Sequence, residues 1–290
     1  MKRRPIHLFG GCDSASSASL KACDGAWLIG HAADRRDPDV PSDWTRRVCR
    51  EDFNFNFNFG RILRGFGHSE WAAFIHAEHA QWGFTKVAID YGAGGGGPEI
   101  ERRLAVPDQD VPTDIRRING IDLVTATSRR RCRPIVTPSN FVLEGDPVLM
   151  LVSRSDRLLT RLFPHLSSEK KLPDEIFTLF LEGLKTNIGL PRAFTEMRGE
   201  EHAGWPQELK EVLKVFEALK NQAAAVTVET DEEGAFIFYA GGAKNFICKG
   251  RSDVLKAAMY CYLGFAVWVE AVASGLVADE GAGEVVCEAL

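Results

Sequence analysis

No two of the seven cysteines (12, 23, 49, 132, 248, 261 and 287) stand at C-x-x-C spacing. An odd, scattered set excludes a disulfide framework and a cysteine zinc site. It fits reduced thiols packed as small apolar groups in a cytosol. The seven histidines are dispersed as well, which removes the other common route to structural zinc. No uninterrupted apolar run reaches the roughly 18 residues of a membrane span. The longest, Ala257 to Leu276, follows Lys256 and contains Glu270, so no membrane partner is expected. The basic start, Met1-Lys2-Arg3-Arg4-Pro5, leads into a strand pattern instead of a signal-peptide core. A cytoplasmic protein is the expectation.

A Gly-Lys dipeptide is missing altogether, so the phosphate loop G-x-x-x-x-G-K-[ST] of motor ATPases is absent. Excess positive charge is missing too. A net charge of −5 and a pI near 5.9 exclude a protein coated in phosphate-binding residues. They leave room for one that grips nucleic acid along one face while metal ions supply positive charge at the site.

What is present is ordinary globular material: 45% hydrophobic and 26% charged residues, enough for an ample core in 290 residues. Pro5 to Cys12 reads as a buried strand ending beside Asp13, and Gly25 to Ala32 as its antiparallel neighbour. Phe53-Asn54-Phe55-Asn56-Phe57-Asn58-Phe59 alternates with period two, as a strand burying one face does. His68 to Trp82 has helical spacing, with Trp71, Phe74, Ile75 and His79 on one face and Ser69 placed to cap it. Lys86 to Ile89 is a short strand ending at Asp90. Then come a turn rich in glycine (92 to 97), Pro98 at a first helical position and a helix through Leu104. This succession implies a parallel crossover and hence an α/β fold. Cys132 to Val136 is a further strand candidate. Helices are expected over 148–163, 173–188 and 206–222, then a hairpin, 225–230 with 235–239, and a final amphipathic helix from about Ser252 to Ser274. No internal repeat is visible.

Three aspartates fall where carboxylates would be exposed at a sheet edge. Asp13 follows the first strand, Asp90 ends the strand after the first long helix, and Asp253 opens the last helix. Strand ends of a parallel unit open onto one crevice, which a helix laid across the sheet can reach with its first turn. Gathered carboxylates repel one another until hard cations such as Mg²⁺ or Mn²⁺ intervene. Two such ions can activate a water and stabilise the leaving oxygen of a phosphodiester. Each aspartate also has a plain structural reading: Asp13 suits a turn, and Asp253 a dipole-favoured helix start.

In context these residues read G-G-C-D-S-A, V-A-I-D-Y-G-A-G-G-G-G-P-E-I-E-R-R-L and G-R-S-D-V-L-K-A-A-M-Y-C-Y. The set, in this order over most of residues 5–270, resembles the nuclease domain of phage terminase large subunits. The resemblance implies an RNase H-like mixed sheet flanked by helices, with an added helical and hairpin segment in the second half. One nuclease domain over 1–274 is then expected, and the Gly-, Ala- and Glu-rich residues 275–290 read as a flexible tail. The activity the resemblance implies is an endonuclease that cuts concatemeric double-stranded DNA during packaging. Asp13, Asp90 and Asp253 would be its catalytic metal ligands, holding two Mg²⁺ or Mn²⁺ ions, with Glu99, Asp24 or Asp122 as possible additions. It also implies an ATPase motor domain, a small terminase subunit and a portal as partners. The chain departs from the pattern in its late motif, Arg251-Ser252-Asp253, which has one acid where the family often has two preceded by His. With no phosphate loop, a nuclease without its motor is expected, excised from a longer protein or encoded separately.

Lys244, Lys249, Arg251 and Arg130 belong to the densest basic clusters, and Lys249 and Arg251 flank Asp253, where a phosphate would need counter-charge. Gly92-x-Gly94-x-x-Gly97 fits a dinucleotide fingerprint, but Asp90 would repel a pyrophosphate, and the acids that follow lie in V-P-D-Q-D-V-P-T-D instead of closing a strand. His76-Ala77-Glu78-His79 lacks zinc-protease spacing. Two other readings fit the same residues: a resolvase- or transposase-type RNase H-like nuclease, and a non-catalytic DNA-binding or assembly module.

Overall fold

Alternation along the first strand, β1 (Ile6–Asp13), divides the core into two faces. Phe9 turns to one side, and Leu8 and Cys12 to the other. The computed structural model of the chain describes residues 6–14, 25–36, 47–90, 96–104, 117–118, 121–122, 148–152, 157–164, 172–192, 196, 204–230, 232, 236–240 and 253–275. β2 (Gly25–Asp34) returns antiparallel to β1, and β3 (Phe53–Leu63) returns antiparallel to β2. The helix α1 (His68–Trp82) then carries the chain across to β4 (Lys86–Asp90), which lies parallel to β1 on its free side. α2 (Gly96–Leu104) and the paired dipeptides β5 (Arg117–Ile118) and β6 (Ile121–Asp122) precede β7 (Leu149–Val152), parallel to β4. After α3 (Arg157–Leu162) and α4 (Leu172–Thr186), β8 (Ile188–Gly189) joins the far edge beside β3. α5 (Gln207–Ala224), the hairpin β9 (Val226–Thr230) and β10 (Phe236–Ala240), and α6 (Asp253–Ala273) complete the order. The main sheet thus reads β7-β4-β1-β2-β3-β8, a mixed six-stranded α/β sheet with helices on both faces.

The alternating phenylalanines behave as period two requires only as far as a bulge. Phe53, Phe55 and Phe57 enter the core on the α6 side. Pairing then slips, from Gly30 with Phe57 to Ile29 with Phe59, and Asn58 is the extra residue. One inserted residue inverts the faces that follow. Phe59 and Leu63 therefore pack on the opposite side, with Trp27, Trp71 and Phe74.

α6 fills the centre of the first face. The sheet lies beneath it, α3, α4 and α5 flank it, and it is buried on nearly every side. Its expected polar face is therefore missing: the helix is a core element, buried all round. Among the described residues it is the one helix long and apolar enough to cross a membrane, and it is spent on this core. Phe265 and Trp268 lock it to the sheet, with ring centroids 5.1 Å from Phe55 and 5.3 Å from Phe53 respectively.

Three further expectations need correction. Residues 148–163 are not one helix, because Leu149–Val152 forms β7. This run is buried toward both cores, so it shows no polar alternation from which a strand could be read. Ser69 does not cap α1; the cap position is Gly67, without a side-chain bond. Asp13 is buried instead of exposed at the edge. The strand expected at 132–136 and the tail 276–290 lie outside the described residues.

Candidate active site

Adjacent parallel strands bring two of the three aspartates together. Cys12 of β1 pairs with Ile89 of β4, so Asp13 and Asp90 follow at neighbouring strand ends. Parity sends both toward α6: Val87 and Ile89 pack on the far face, as Cys12 does, while Ala88 packs on the α6 face, as Phe9 does. β7 runs along the other side of β4, with Val152 opposite Asp90.

The third aspartate arrives on the helix. Asp253 is the first residue of α6, and the stripe at 253, 256, 257, 260, 261 and 264 faces the strands. Small residues allow a close approach. Gly11 lies directly beneath the backbone of Ala257 and Cys261, and Gly264 lies over Lys86 and Ala88. The Cys261 thiol donates to the carbonyl oxygen of Phe9 at 3.2 Å, tying helix to strand. In this position Lys256 places its ammonium 3.7 Å from Asp13 Oδ2, and the buried Tyr260 hydroxyl hydrogen-bonds to the Asp90 side chain.

The electrostatics follow from this crowding. Asp13 is pushed up to about 7, chiefly because burial disfavours its charge. The Lys256 ammonium opposes that rise, while Asp253 and Asp90 add to it. The Cys12 thiol, fully buried beside them, is raised well above its ordinary value by burial and then by Asp13 and Asp90. Burial also raises the Tyr260 hydroxyl, which stays a donor to Asp90.

The donor set is all carboxylate, which suits a hard, oxygen-seeking divalent cation and not zinc. An insufficiently balanced negative charge in a buried position is what such a cation would relieve. The fit is nevertheless loose. Among the described residues no three His, Cys, Asp or Glu side chains are grouped closely enough to enclose an ion.

The remaining candidates separate clearly. Glu99 binds its own helix: Arg102 and Arg103 donate to its carboxylate at 2.8 Å, and these contacts, Arg102 first, hold it down at about 2. His79 accepts the Phe84 amide at 3.1 Å where α1 ends, which makes it structural. Glu78 lies on the far face, raised to about 7 by burial with the Arg61 charge opposing. Asp122 falls in β6, and its side chain, like Asp24, Arg130, Lys244, Lys249 and Arg251, lies outside the described residues. Lys256 and Tyr260 did not stand out in the sequence. Their signal was spacing, three and seven residues after Asp253, which places them on one helix face.

No protein-family model matches this chain, and no curated protein or solved structure does either.

Proposed function

We propose that this chain is a divalent-metal-dependent endonuclease of RNase H-like fold, hydrolysing phosphodiester bonds in double-stranded DNA. The observation that carries the reading is the meeting of Asp13 and Asp90 at adjoining parallel strand ends, with Asp253 delivered beside them by α6. Support also comes from the strand order, an antiparallel β1-β2-β3 meander extended beside β1 by the parallel β4 and β7. A mixed sheet of this kind, flanked by helices, is compatible with an RNase H-like core. Asp13, Asp90 and Asp253 would hold the metal. The chemistry that Mg²⁺ or Mn²⁺ supplies when bound is activation of a water and stabilisation of the leaving oxygen. The residues present hold carboxylates at fixed strand ends and keep Asp90 oriented through the Tyr260 hydroxyl.

By its resemblance to the terminase nuclease, the substrate would be concatemeric viral DNA cut during packaging, in the host cytoplasm. An ATPase motor domain, a small terminase subunit and a portal would be the partners. Supercoiled plasmid tests the reading: nicked and linear products are expected with Mn²⁺ or Mg²⁺ and none with EDTA. Cleavage unchanged by EDTA contradicts it. The late motif, Arg251-Ser252-Asp253, with Ser252 where a second acid would stand, favours one second reading, a non-catalytic DNA-binding module. DNA binding without cleavage in either metal would establish that instead.

A further inference from the structure

Asp253 opens α6, so whatever fixes the first turn of that helix decides where its carboxylate stands. A helix leaves its first amides without partners of their own. Leu255, the third residue of α6, donates one such amide across the fold, to Gln222 Oε1 on α5 at 2.8 Å. The two residues are 33 apart in sequence, so the bond ties one helix to another.

Gln222 reaches out from a firm base. It lies in the last turn of α5, whose Val215, Phe216 and Leu219 are buried in the core that α6 fills. Ala223, its neighbour, packs on the same core. Val215 sits so close over Gly60 of β3 that a β-carbon there would come within 2.7 Å of Cγ1, which seats α5 on the sheet. Further along α6, Cys261 bonds to Phe9, and Phe265 and Trp268 pack on β3. Those contacts set the helix axis, whereas the Gln222 bond sets its first turn. Asp253 in that turn is near enough to Asp13 for its charge to be felt there.

We propose that Gln222 is a positioning residue: by holding the Leu255 amide it fixes the first turn of α6 against the strand ends, and with it the place of Asp253 relative to Asp13 and Asp90. The role rests on the nuclease reading. Glutamine suits it, because a neutral amide oxygen accepts the N–H without adding negative charge near three carboxylates. Gln222 touches no substrate and moves no proton; it acts through Asp253.

Gln222→Met tests this, since it keeps the length of the side chain and removes its strong acceptor. Hydrogen exchange of the full chain in EDTA reads the bond without reference to activity. The Leu255 amide should be protected in the wild type and exchange about tenfold faster in Gln222→Met, with α6 beyond Ala258 unchanged. On plasmid with Mn²⁺ the same variant should lose about tenfold in kcat at unchanged KM. Gln222→Glu, which restores an acceptor at the same reach, should recover the protection and part of kcat. Lost protection with wild-type kcat would overturn the positioning role and leave the nuclease reading standing. A Leu255 amide that exchanges freely in the wild type would do the same, and it decides the matter even if Gln222→Met does not fold. A wild-type chain that cuts no plasmid overturns the nuclease reading and this role together.

Discussion

Gly11 of β1 lies so close under α6 that a methyl group there would overlap the Ala257 carbonyl oxygen and the Cys261 amide, with Cys261 Cβ 2.7 Å away. Backbone cannot yield as a side-chain tip can, so Gly11→Ala must lift the helix from the sheet. The expected cost is about 1–3 kcal/mol. Because α6 carries Asp253 and Lys256, metal-dependent cleavage should fall with it. Gly264→Ala is the control: its methyl would meet Lys86 Cβ at 3.4 Å, an ordinary contact. There the gain in helix propensity, up to about 1 kcal/mol, should leave stability level or slightly raised. Urea unfolding of both variants checks this, and equal costs would contradict the close contact at Gly11.

Asp13 should leave a signature in the pH dependence of stability. Its carboxyl moves from 3.8 to about 7 on folding, mainly through burial. The folded chain therefore holds a proton that the unfolded chain releases. That contribution is complete below pH 3.8 and is lost as pH rises through about 7. In EDTA, wild-type stability relative to Asp13→Asn should fall across this window, by at most about 4 kcal/mol. Taking the difference cancels Glu78, which shifts in the same direction, and His79, lowered to about 4, which acts in the opposite one. Mn²⁺ favours the carboxylate and should flatten the difference. A pH-independent difference in EDTA removes Asp13 from the buried cluster.

Tyr260 acts through Asp90 as a positioning residue. Tyr260→Phe removes one buried hydrogen bond, at about 1 kcal/mol of stability, and should weaken Mn²⁺ binding roughly tenfold. Asp90→Ala strands the hydroxyl and should cost about 1–3 kcal/mol, besides abolishing cleavage. Calorimetric Mn²⁺ titration tells these effects apart; unchanged affinity in Tyr260→Phe would make the bond purely structural.

Asp253→Asn should cut cleavage severely while the fold holds, since an amide is a poor ligand for a hard cation and the residue sits in the first turn of α6. Full plasmid nicking by this variant would mean that Asp253 only starts the helix.

The sequence revealed the parts whose pattern is local. Alternation in 53–57, the apolar face of 68–82 and strand ends marked by Asp13 and Asp90 carried over to β3, α1, β1 and β4. Features set by tertiary packing were hidden. β7 is apolar toward both faces and could not be told from a helix by periodicity. The Asn58 bulge depends on its pairing with β2, which places Asn58 Oδ1 2.7 Å from His31 Nδ1. Lys256 read as the polar end of an apolar run, and only the docking of α6 on Gly11 brings it to Asp13.

Anomalous diffraction from Mn²⁺-soaked crystals tests most directly whether Asp13, Asp90 and Asp253 form one metal site. A peak bridging Asp13 and Asp90 beneath the first turn of α6, with Lys256 beside it, is the predicted result. Crystals without a peak there, or with Mn²⁺ ligated only by other residues, would contradict the account.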